Sequence, residues 1–197
     1  MNQLPPDYSE QIALAGERME RFKASLTPDA LAREDALPEV LASVNASVKS
    51  KLRRIYAMSD ELANGRDQFV PCKKGCANCC RMNVMVSQLE AQQIATASGR
   101  KVVALTRPKQ HPIGTFAGVD CPFHIDSVCT VYEDRPLVCR SHASYYVSNF
   151  ACDTVNMPIT DAPIVEFAGL TKALGMVSAI KGYAVFADIR DFFPTQA

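Results

Sequence analysis

The chain has 197 residues, of which 48% are hydrophobic, so it is long enough to bury a core without covalent help. Its 21 basic residues balance 21 acidic ones, and the net charge of zero provides no global field that would favour nucleic acid or an anionic membrane. We therefore expect neither a nucleic-acid-binding protein nor a membrane-surface protein, and the composition names no protein partner.

The first segment, residues 1–66, contains no cysteine and is predicted to be helical. Ser9 is a candidate N-cap for a first helix, and Thr27-Pro28-Asp29 is a typical helix start. Apolar residues at steps of mostly three or four from Leu37 to Asn64 predict one strong amphipathic helix, which Asn64-Gly65 would end.

The middle segment, residues 67–153, holds every cysteine. Ser87 and Glu90 have the spacing of a capping box, which predicts a helix running to about Ser98 and ending at Gly99. Residues 101–119 are rich in proline and glycine and are predicted to be a loop. Short alternating pieces between residues 121 and 132 predict a small β-hairpin.

The last segment, residues 154–197, is predicted to contain a helix from near Asp161 to Lys181, with Pro163 in its first turn. The apolar face of this helix is expected to pack into the core and consists of Ile164, Phe167, Leu170, Leu174, Val177 and Ile180. The pattern of residues 183–193 fits a strand and a helix equally well. We expect the three segments to pack together as one mainly α-helical domain around a loop-rich cysteine centre, with at most a small β-hairpin.

The start of the chain has no basic segment followed by an apolar run, and no apolar stretch approaches the roughly 20 residues that span a bilayer. We therefore expect a soluble, cytoplasmic protein without a membrane segment. Thiols stay reduced in that compartment, which argues against a disulfide framework for the eight cysteines. Metal binding is the usual alternative explanation for so many thiols.

The first cysteine group is Cys72, Cys76, Cys79 and Cys80. The two-residue gap between Cys76 and Cys79 lets a tight turn direct two sulfurs at one point, as a tetrahedral thiolate site needs. If the turn were helical, Cys72 and Cys76 would lie on one face. The side chains of the neighbours Cys79 and Cys80 diverge, which favours different metal ions for the two sulfurs, or a bridging sulfur in a polynuclear centre.

The second group is Cys121, Cys129, Cys139 and Cys152, at gaps that do not form a zinc-finger pattern by themselves. The two groups must therefore meet in space to complete metal coordination. Eight thiolates would suit two four-thiolate sites, one cluster plus a second ion, or a binuclear centre with spare sulfurs. The spacing does not choose among these arrangements, nor between zinc, iron and an iron–sulfur cluster.

Cations lie close to the cysteines in sequence and could balance the negative charge of a metal–thiolate centre. They are Lys73, Lys74, Arg81, Arg135 and Arg140. His124 and His142 could replace a sulfur in a mixed site, although eight cysteines make sulfur the expected ligand. His111, beside Pro112 in the loop, is expected to be exposed.

Three strings carry a resemblance to a known family: Cys-x3-Cys-x2-Cys-Cys-Arg at 72–81, Cys-Pro-Phe at 121–123, and Cys-x-Val-Tyr-Glu-x-Arg-Pro-x-x-Cys-Arg at 129–140. Together they resemble the bacterial cysteine-cluster proteins of the YkgJ type, described as zinc- or iron-chelating domains. The resemblance implies that all eight cysteines are metal-ligand candidates, with Cys152 as the final one. The chain departs from many members by having three residues, not two, between Cys72 and Cys76.

The resemblance implies chelation of zinc or iron rather than a particular reaction. An iron–sulfur redox protein or enzyme is the alternative, and the cysteine region is also similar to that of a flagellin lysine methylase, which would connect it to protein modification. The sequence has no phosphate-binding loop, metalloprotease histidine pair or serine nucleophile elbow. A cysteine–histidine nucleophile pair such as Cys139 and His142 is formally available, but clustered cysteines favour metal over nucleophilic catalysis.

Overall fold

The structure, a computed structural model, describes residues 5–73, 75–179 and 182–194. Its α-helices are α1 (Tyr8–Ser25), α2 (Pro28–Ser43), α3 (Val48–Leu62), α4 (Gln88–Ser98), α5 (Leu137–Ser141), α6 (Ala168–Ser178) and α7 (Ile189–Phe192). Its strands are β1 (Met85–Ser87), β2 (His124–Ile125), β3 (Val128–Cys129) and β4 (Phe186–Asp188). Short 3₁₀ turns connect several of these elements. The prediction of a mainly α-helical fold is confirmed.

The N-terminal helices follow local capping signals. Thr27 caps α2 by accepting a hydrogen bond from the Ala30 amide, as its position before Pro28 predicts. The prediction that Ser9 caps the first helix is wrong, because α1 begins at Tyr8 with Asp7 in the N-cap position.

The predicted single helix from Leu37 to Asn64 is also wrong. The chain leaves helical geometry at Val44, and Ser47 starts α3 by accepting a hydrogen bond from the Ser50 amide. The break lets α2 and α3 pack against each other and against α6, which one straight helix could not do. The predicted stop is close, since α3 ends at Leu62 and Gly65 has a left-handed φ of 76°.

The elements of the cysteine segment follow the sequence more closely. Ser87 and Glu90 form the predicted capping box of α4, and Gly99 ends the helix in the left-handed conformation. Residues 101–119 contain no helix or strand, so the predicted loop is confirmed. β2 and β3 form the predicted hairpin around a two-residue turn, in which Asp126 and Ser127 both have positive φ.

The C-terminal helix is shorter than predicted. α6 begins at Ala168, so residues 161–167 are extended or irregular and Pro163 lies outside the helix. Ile164 is 54% exposed and not in the core, whereas Phe167, Leu170, Leu174 and Val177 are buried as predicted. The predicted positions Ile180 and Lys181 lie outside the described residues. The ambiguous stretch after them contains both β4 and α7.

Two hydrophobic clusters organise the molecule. The larger one joins helices α1, α2, α3 and α6 with the buried rings of Tyr145 and Tyr146. The smaller one packs α4, α7 and the antiparallel β1–β4 pair around Phe123, with Val86 opposite Ala187 in the sheet. Cys72 borders the larger cluster, while Cys121, Cys129 and Cys139 border the smaller one. Among the described residues, no helix has both the length and the apolar character needed to cross a bilayer.

Candidate metal centre

The first cysteine group lies on an irregular turn followed by a short 3₁₀ helix. Residues 75–77 are not helical, so the condition for Cys72 and Cys76 to share a helical face is not met. Gly75 has a φ of 91°, a conformation that favours glycine because it has no Cβ. The 3₁₀ helix Asn78–Arg81 then carries the adjacent thiols of Cys79 and Cys80.

Backbone hydrogen bonds bring the second group against the first. The Cys121 amide donates to the Cys80 carbonyl oxygen at 2.8 Å, and the Gly118 amide donates to that of Arg81 at 3.0 Å. Arg190 in α7 reinforces this junction, because its guanidinium donates to the carbonyl oxygens of Cys80 and Val119. The two cysteine groups, separated by about 40 residues of sequence, are therefore held side by side.

The hairpin places Cys129 directly opposite His124, so both side chains lie on the same face. Ile125 and Val128 occupy the other face and are 52% and 50% exposed, while His124 and Cys129 are partly buried. This pair thus reverses the usual alternation, because its apolar residues point outward and its polar residues point inward.

Cys139 is carried by α5, whose start is anchored by Glu90. The Leu137 amide donates to Glu90 Oε1 at 2.8 Å, while Oε2 of the same carboxylate accepts from the Ser87 amide at the start of α4. Tyr56 also donates to Oε1, at 3.3 Å. The buried carboxylate therefore ties α3, α4 and α5 together one turn from the thiol.

The cysteines line two adjoining cavities. The first, the hairpin cavity, is lined by Cys76, Cys79, Cys80, Cys121, Cys129 and Cys139, together with His124 and Arg135. The second, the Cys152 cavity, is lined by Cys72, Cys76, Cys79, Cys139 and Cys152, together with His142, Arg66 and Arg135. Every predicted ligand thus lies on at least one of the two cavities, and three cysteines lie on both.

Burial raises the pKa of four of these thiols, Cys72, Cys121, Cys139 and Cys152. Removal from water raises the pKa of Cys121 and of Cys152 to about 11, and it raises that of Cys139 well above the ordinary value. Cys79 behaves differently, because a hydrogen bond from the Cys80 thiol lowers its pKa to about 7. The same hydrogen bond raises the pKa of Cys80. In the metal-free chain, Cys79 is therefore the thiol with the strongest thiolate character among these six.

The cations that face the thiols are only partly the predicted ones. Arg135 lines both cavities and favours the Cys79 thiolate, as its position in sequence suggests. Arg66 likewise favours the thiolate form of Cys72, and Arg190 favours that of Cys121. Neither arginine is adjacent to a cysteine in sequence.

The other predicted cations have different partners. Arg140 is 6% exposed and binds Asp60 at 2.7 Å and the Arg135 carbonyl oxygen at 2.8 Å, so it organises the fold. Arg81 pairs with Asp120 at 2.8 Å. Lys73 lines the Cys152 cavity, and Lys74 lies outside the described residues.

The three histidines differ in their hydrogen bonding. The prediction that His111 is exposed is wrong, because its side chain is 18% exposed and its Nε2 lies 2.8 Å from Asp191. His124 Nδ1 lies 2.8 Å from Asp120 Oδ1. In the described part of the chain, Nε2 of His124 and Nε2 of His142 are both buried without a hydrogen-bond partner.

The donor set suits a soft or borderline metal ion, since thiolates and imidazoles are the ligands that zinc and iron share. Within residues 5–73, 75–179 and 182–194, no three cysteine, histidine, aspartate or glutamate side chains converge closely enough to hold an ion. The sulfurs surround the two cavities, and metal binding would require side-chain rotations that draw them together. The two orphaned imidazole nitrogens fit such an ion, because each lacks any other partner.

Sequence reasoning missed three residues that build this region: Glu90 as the anchor of α5, Arg190 as the clamp on Cys80, and Asp120 as the partner of His124. Glu90 carried a signal as a capping residue, but its second partner is 47 residues away. Asp120 immediately precedes Cys121 and lies four residues before His124, a spacing that could have suggested the pair. Arg190 had no local signal at all.

Residues 71–158 match the model of the CxxCxxCC family, which is described as "Putative zinc- or iron-chelating domain". The matched range contains all eight cysteines and the strings that carried the resemblance. The match confirms, for residues 71–158, the resemblance to cysteine-cluster chelating domains. No curated protein and no solved structure matches the chain.

Proposed function

We propose that this protein binds zinc or iron through its eight cysteines, arranged as two adjacent thiolate sites. The observation that carries the proposal is the meeting of cysteines from distant parts of the chain around two adjoining cavities. Cysteines that only fill space in a core are not expected to cluster around shared cavities. Cysteines clustered with histidine and arginine side chains favour metal ligation. The family match supports chelation of zinc or iron by the same region.

The electrostatic influence of the thiols on one another supports a division into two sets of four. Cys72, Cys76, Cys79 and Cys152 influence one another electrostatically and form the first set. Cys80, Cys121, Cys129 and Cys139 do the same and form the second set. Cys79 also hydrogen-bonds with Cys80 and influences Cys139, so the two sets adjoin.

The adjacent pair Cys79–Cys80 lies at the boundary between the sets. Cys79 lines both cavities, whereas Cys80 lines only the hairpin cavity. The Cys80 thiol donates a hydrogen bond to the Cys79 sulfur, so the predicted divergence of the two side chains is wrong for the metal-free chain. Assignment to two adjacent sites would give each sulfur its own ion. Cys79 shares with Cys76 and Cys139 a position on both cavities, from which it could contribute to either site.

A polynuclear centre, including an iron–sulfur cluster, is the second candidate. Six cysteines line the hairpin cavity, which is more than one tetrahedral ion uses. A cluster with bridging sulfurs would use such a surplus, and would make the protein a redox protein or an enzyme component.

The test is elemental analysis of the full chain purified without oxygen, with zinc, iron and acid-labile sulfide measured per chain. About two zinc ions in a colourless protein support the two-site proposal. A brown protein with iron and sulfide would support the polynuclear alternative. Protein that stays metal-free after incubation with zinc or iron(II) under reducing conditions would overturn both.

Single substitutions then test the division. Cys79→Ser and Cys80→Ser each remove one sulfur from a different set, so each is expected to lose about one ion while the other ion remains. Thr130→Ser is a conservative control beside Cys129 that leaves every thiol in place. If both cysteine variants lost the same single ion, or lost both ions together, the two-site division would be wrong.

A further inference from the structure

The inward face of the β2–β3 hairpin holds a histidine beside a cysteine. His124 and Cys129 are direct cross-strand partners, and both line the hairpin cavity. Opposite residues in an antiparallel pair have their Cβ atoms about 5 Å apart on one face. The imidazole therefore approaches the cavity from the same direction as the Cys129 thiol.

The ring of His124 is held by one nitrogen and left unsatisfied at the other. Its side chain is 6% exposed, and Nδ1 lies 2.8 Å from Asp120 Oδ1. Nε2 is buried and has no hydrogen-bond partner among the described residues. A buried polar nitrogen without a partner is destabilising, so this nitrogen calls for a ligand that the protein itself does not supply.

We propose that His124 is a metal ligand through Nε2 in the hairpin cavity, with Asp120 as the residue that positions its ring. This inference rests on the proposed function, because the ion would be one held by the cysteine set around that cavity. The imidazole would take the place of one of the four sulfurs of that set, since a tetrahedral ion has four ligands. A carboxylate that accepts a hydrogen bond from the outer nitrogen of an imidazole fixes the tautomer in which the inner nitrogen can bind metal. Zinc and iron both accept imidazole beside thiolate.

Asp120 is itself held in place, which strengthens its positioning role. Its Oδ1 accepts a hydrogen bond from Arg81 Nε at 2.8 Å as well as contacting His124. Arg81 follows Cys80 and Asp120 precedes Cys121, so both ends of this chain of contacts are tied to cysteines that line the cavity. The ring orientation is thus coupled to the segments that carry two of the thiols.

The other histidines show why His124 stands out. His111 Nε2 is satisfied by Asp191, and the residue lines neither cysteine cavity. His142 lines the Cys152 cavity and has an unpartnered Nε2, but no hydrogen bond to a carboxylate orients its ring in the described structure. Across the part of the chain that the structure describes, only His124 combines an oriented ring, an unsatisfied inward nitrogen and a cross-strand cysteine.

The experiment uses the full chain labelled with ¹⁵N at histidine and loaded with ¹¹³Cd, a spin-active substitute for zinc. The chain contains three histidines, so three sets of ring signals can be assigned with single His→Asn variants. We expect a one-bond ¹¹³Cd–¹⁵N coupling at His124 Nε2, with the proton on Nδ1. Cadmium bound by the cysteines without any coupling to His124 would overturn the inference while leaving the proposed function intact.

Substitutions give a second, independent readout in metal affinity. His124→Asn keeps a side-chain donor near Asp120 but removes the ligand nitrogen, and Asp120→Ala removes the positioning group. We expect Asp120→Ala to weaken cadmium binding at one site by about 10–100-fold, and His124→Asn to weaken it at least as much. His111→Asn is the matched control and should leave both affinities unchanged.

The outcomes separate the two proposals. A wild-type chain that binds no cadmium, zinc or iron would overturn the proposed function and the histidine inference together. If His124→Asn binds cadmium as tightly as the wild type, the imidazole is not a ligand. The coupling is measured on the unaltered protein, and the His124 signals can be assigned by elimination from the His111→Asn and His142→Asn spectra. A His124→Asn variant that fails to fold therefore does not remove the first readout.

Discussion

Replacing Glu90 by alanine removes the carboxylate on which the start of α5, and with it Cys139, depends. In the native protein one oxygen accepts from the Leu137 amide at 2.8 Å and the other from the Ser87 amide at 2.9 Å. Glu90 is 1% exposed, so water cannot replace these acceptors without opening the structure. Glu90→Ala would therefore leave two backbone donors unsatisfied at once.

The expected loss follows from these two bonds. A buried amide without an acceptor costs about 1–3 kcal/mol, which applies to Leu137. Loss of the capping interaction at Ser87 adds about 1 kcal/mol, giving roughly 2–4 kcal/mol in the free energy of unfolding. Burial raises the pKa of Glu90, so the native carboxylate already carries a desolvation cost, and the lower half of that range is expected.

The assay is urea unfolding of the metal-free chain under reducing conditions, followed by far-ultraviolet circular dichroism. Gln92→Ala on the exposed side of the same helix is the control and should change stability by less than about 0.5 kcal/mol. Zinc affinity measured on the same variants should fall for Glu90→Ala alone, because only that change frees the helix that carries Cys139. A Glu90→Ala loss no larger than that of the control would refute the anchoring role.

Two further predictions concern packing and pH. In α6, a Cβ on Gly169 would lie 2.1 Å from the Glu34 carbonyl oxygen, so Gly169→Ala should destabilise by about 1–3 kcal/mol or more. A Cβ on Gly175 in the same helix would meet no atom within 4 Å, so Gly175→Ala should instead stabilise the protein by about 0.5–1 kcal/mol. Thermal unfolding checks both variants, and a change in melting temperature of the same sign for both would contradict this explanation. Cys121 and Cys152, with pKa values raised to about 11, are protonated in the neutral metal-free chain, so metal ligation must release their protons. Zinc affinity should therefore fall as pH decreases, and the pH of a weakly buffered protein solution should drop as zinc is added. Binding that is independent of pH and releases no protons would exclude these thiols as ligands.

Local signals predicted the elements that depend on neighbouring residues. The Ser87–Glu90 capping box, the Thr27 cap and the Gly99 helix end are set by hydrogen bonds within a few residues, so the sequence contains all the information they need. The hairpin is similar, because its two-residue turn and its register are decided within the six residues from His124 to Cys129.

Periodicity failed where packing decided the outcome. The apolar pattern from Leu37 to Asn64 is continuous, yet the chain breaks before Ser47 so that α2 and α3 can pack on each other and on α6. Ile164 fits the helical pattern of the last segment but lies in an extended stretch and is exposed. Apolar spacing records which residues prefer burial, but not where the partner surface will lie.

The sequence by itself determined the kind of chemistry: eight thiols with chelating-domain motifs, which specify a donor set suited to zinc or iron. Only the tertiary structure decided which thiols share a cavity, and which cations face them. It also turned His124 inward, oriented by Asp120, and gave Glu90 a second partner in α5. The physical reason is that a ligand's identity lies in its own side chain, whereas a cavity exists only where segments distant in sequence are packed together.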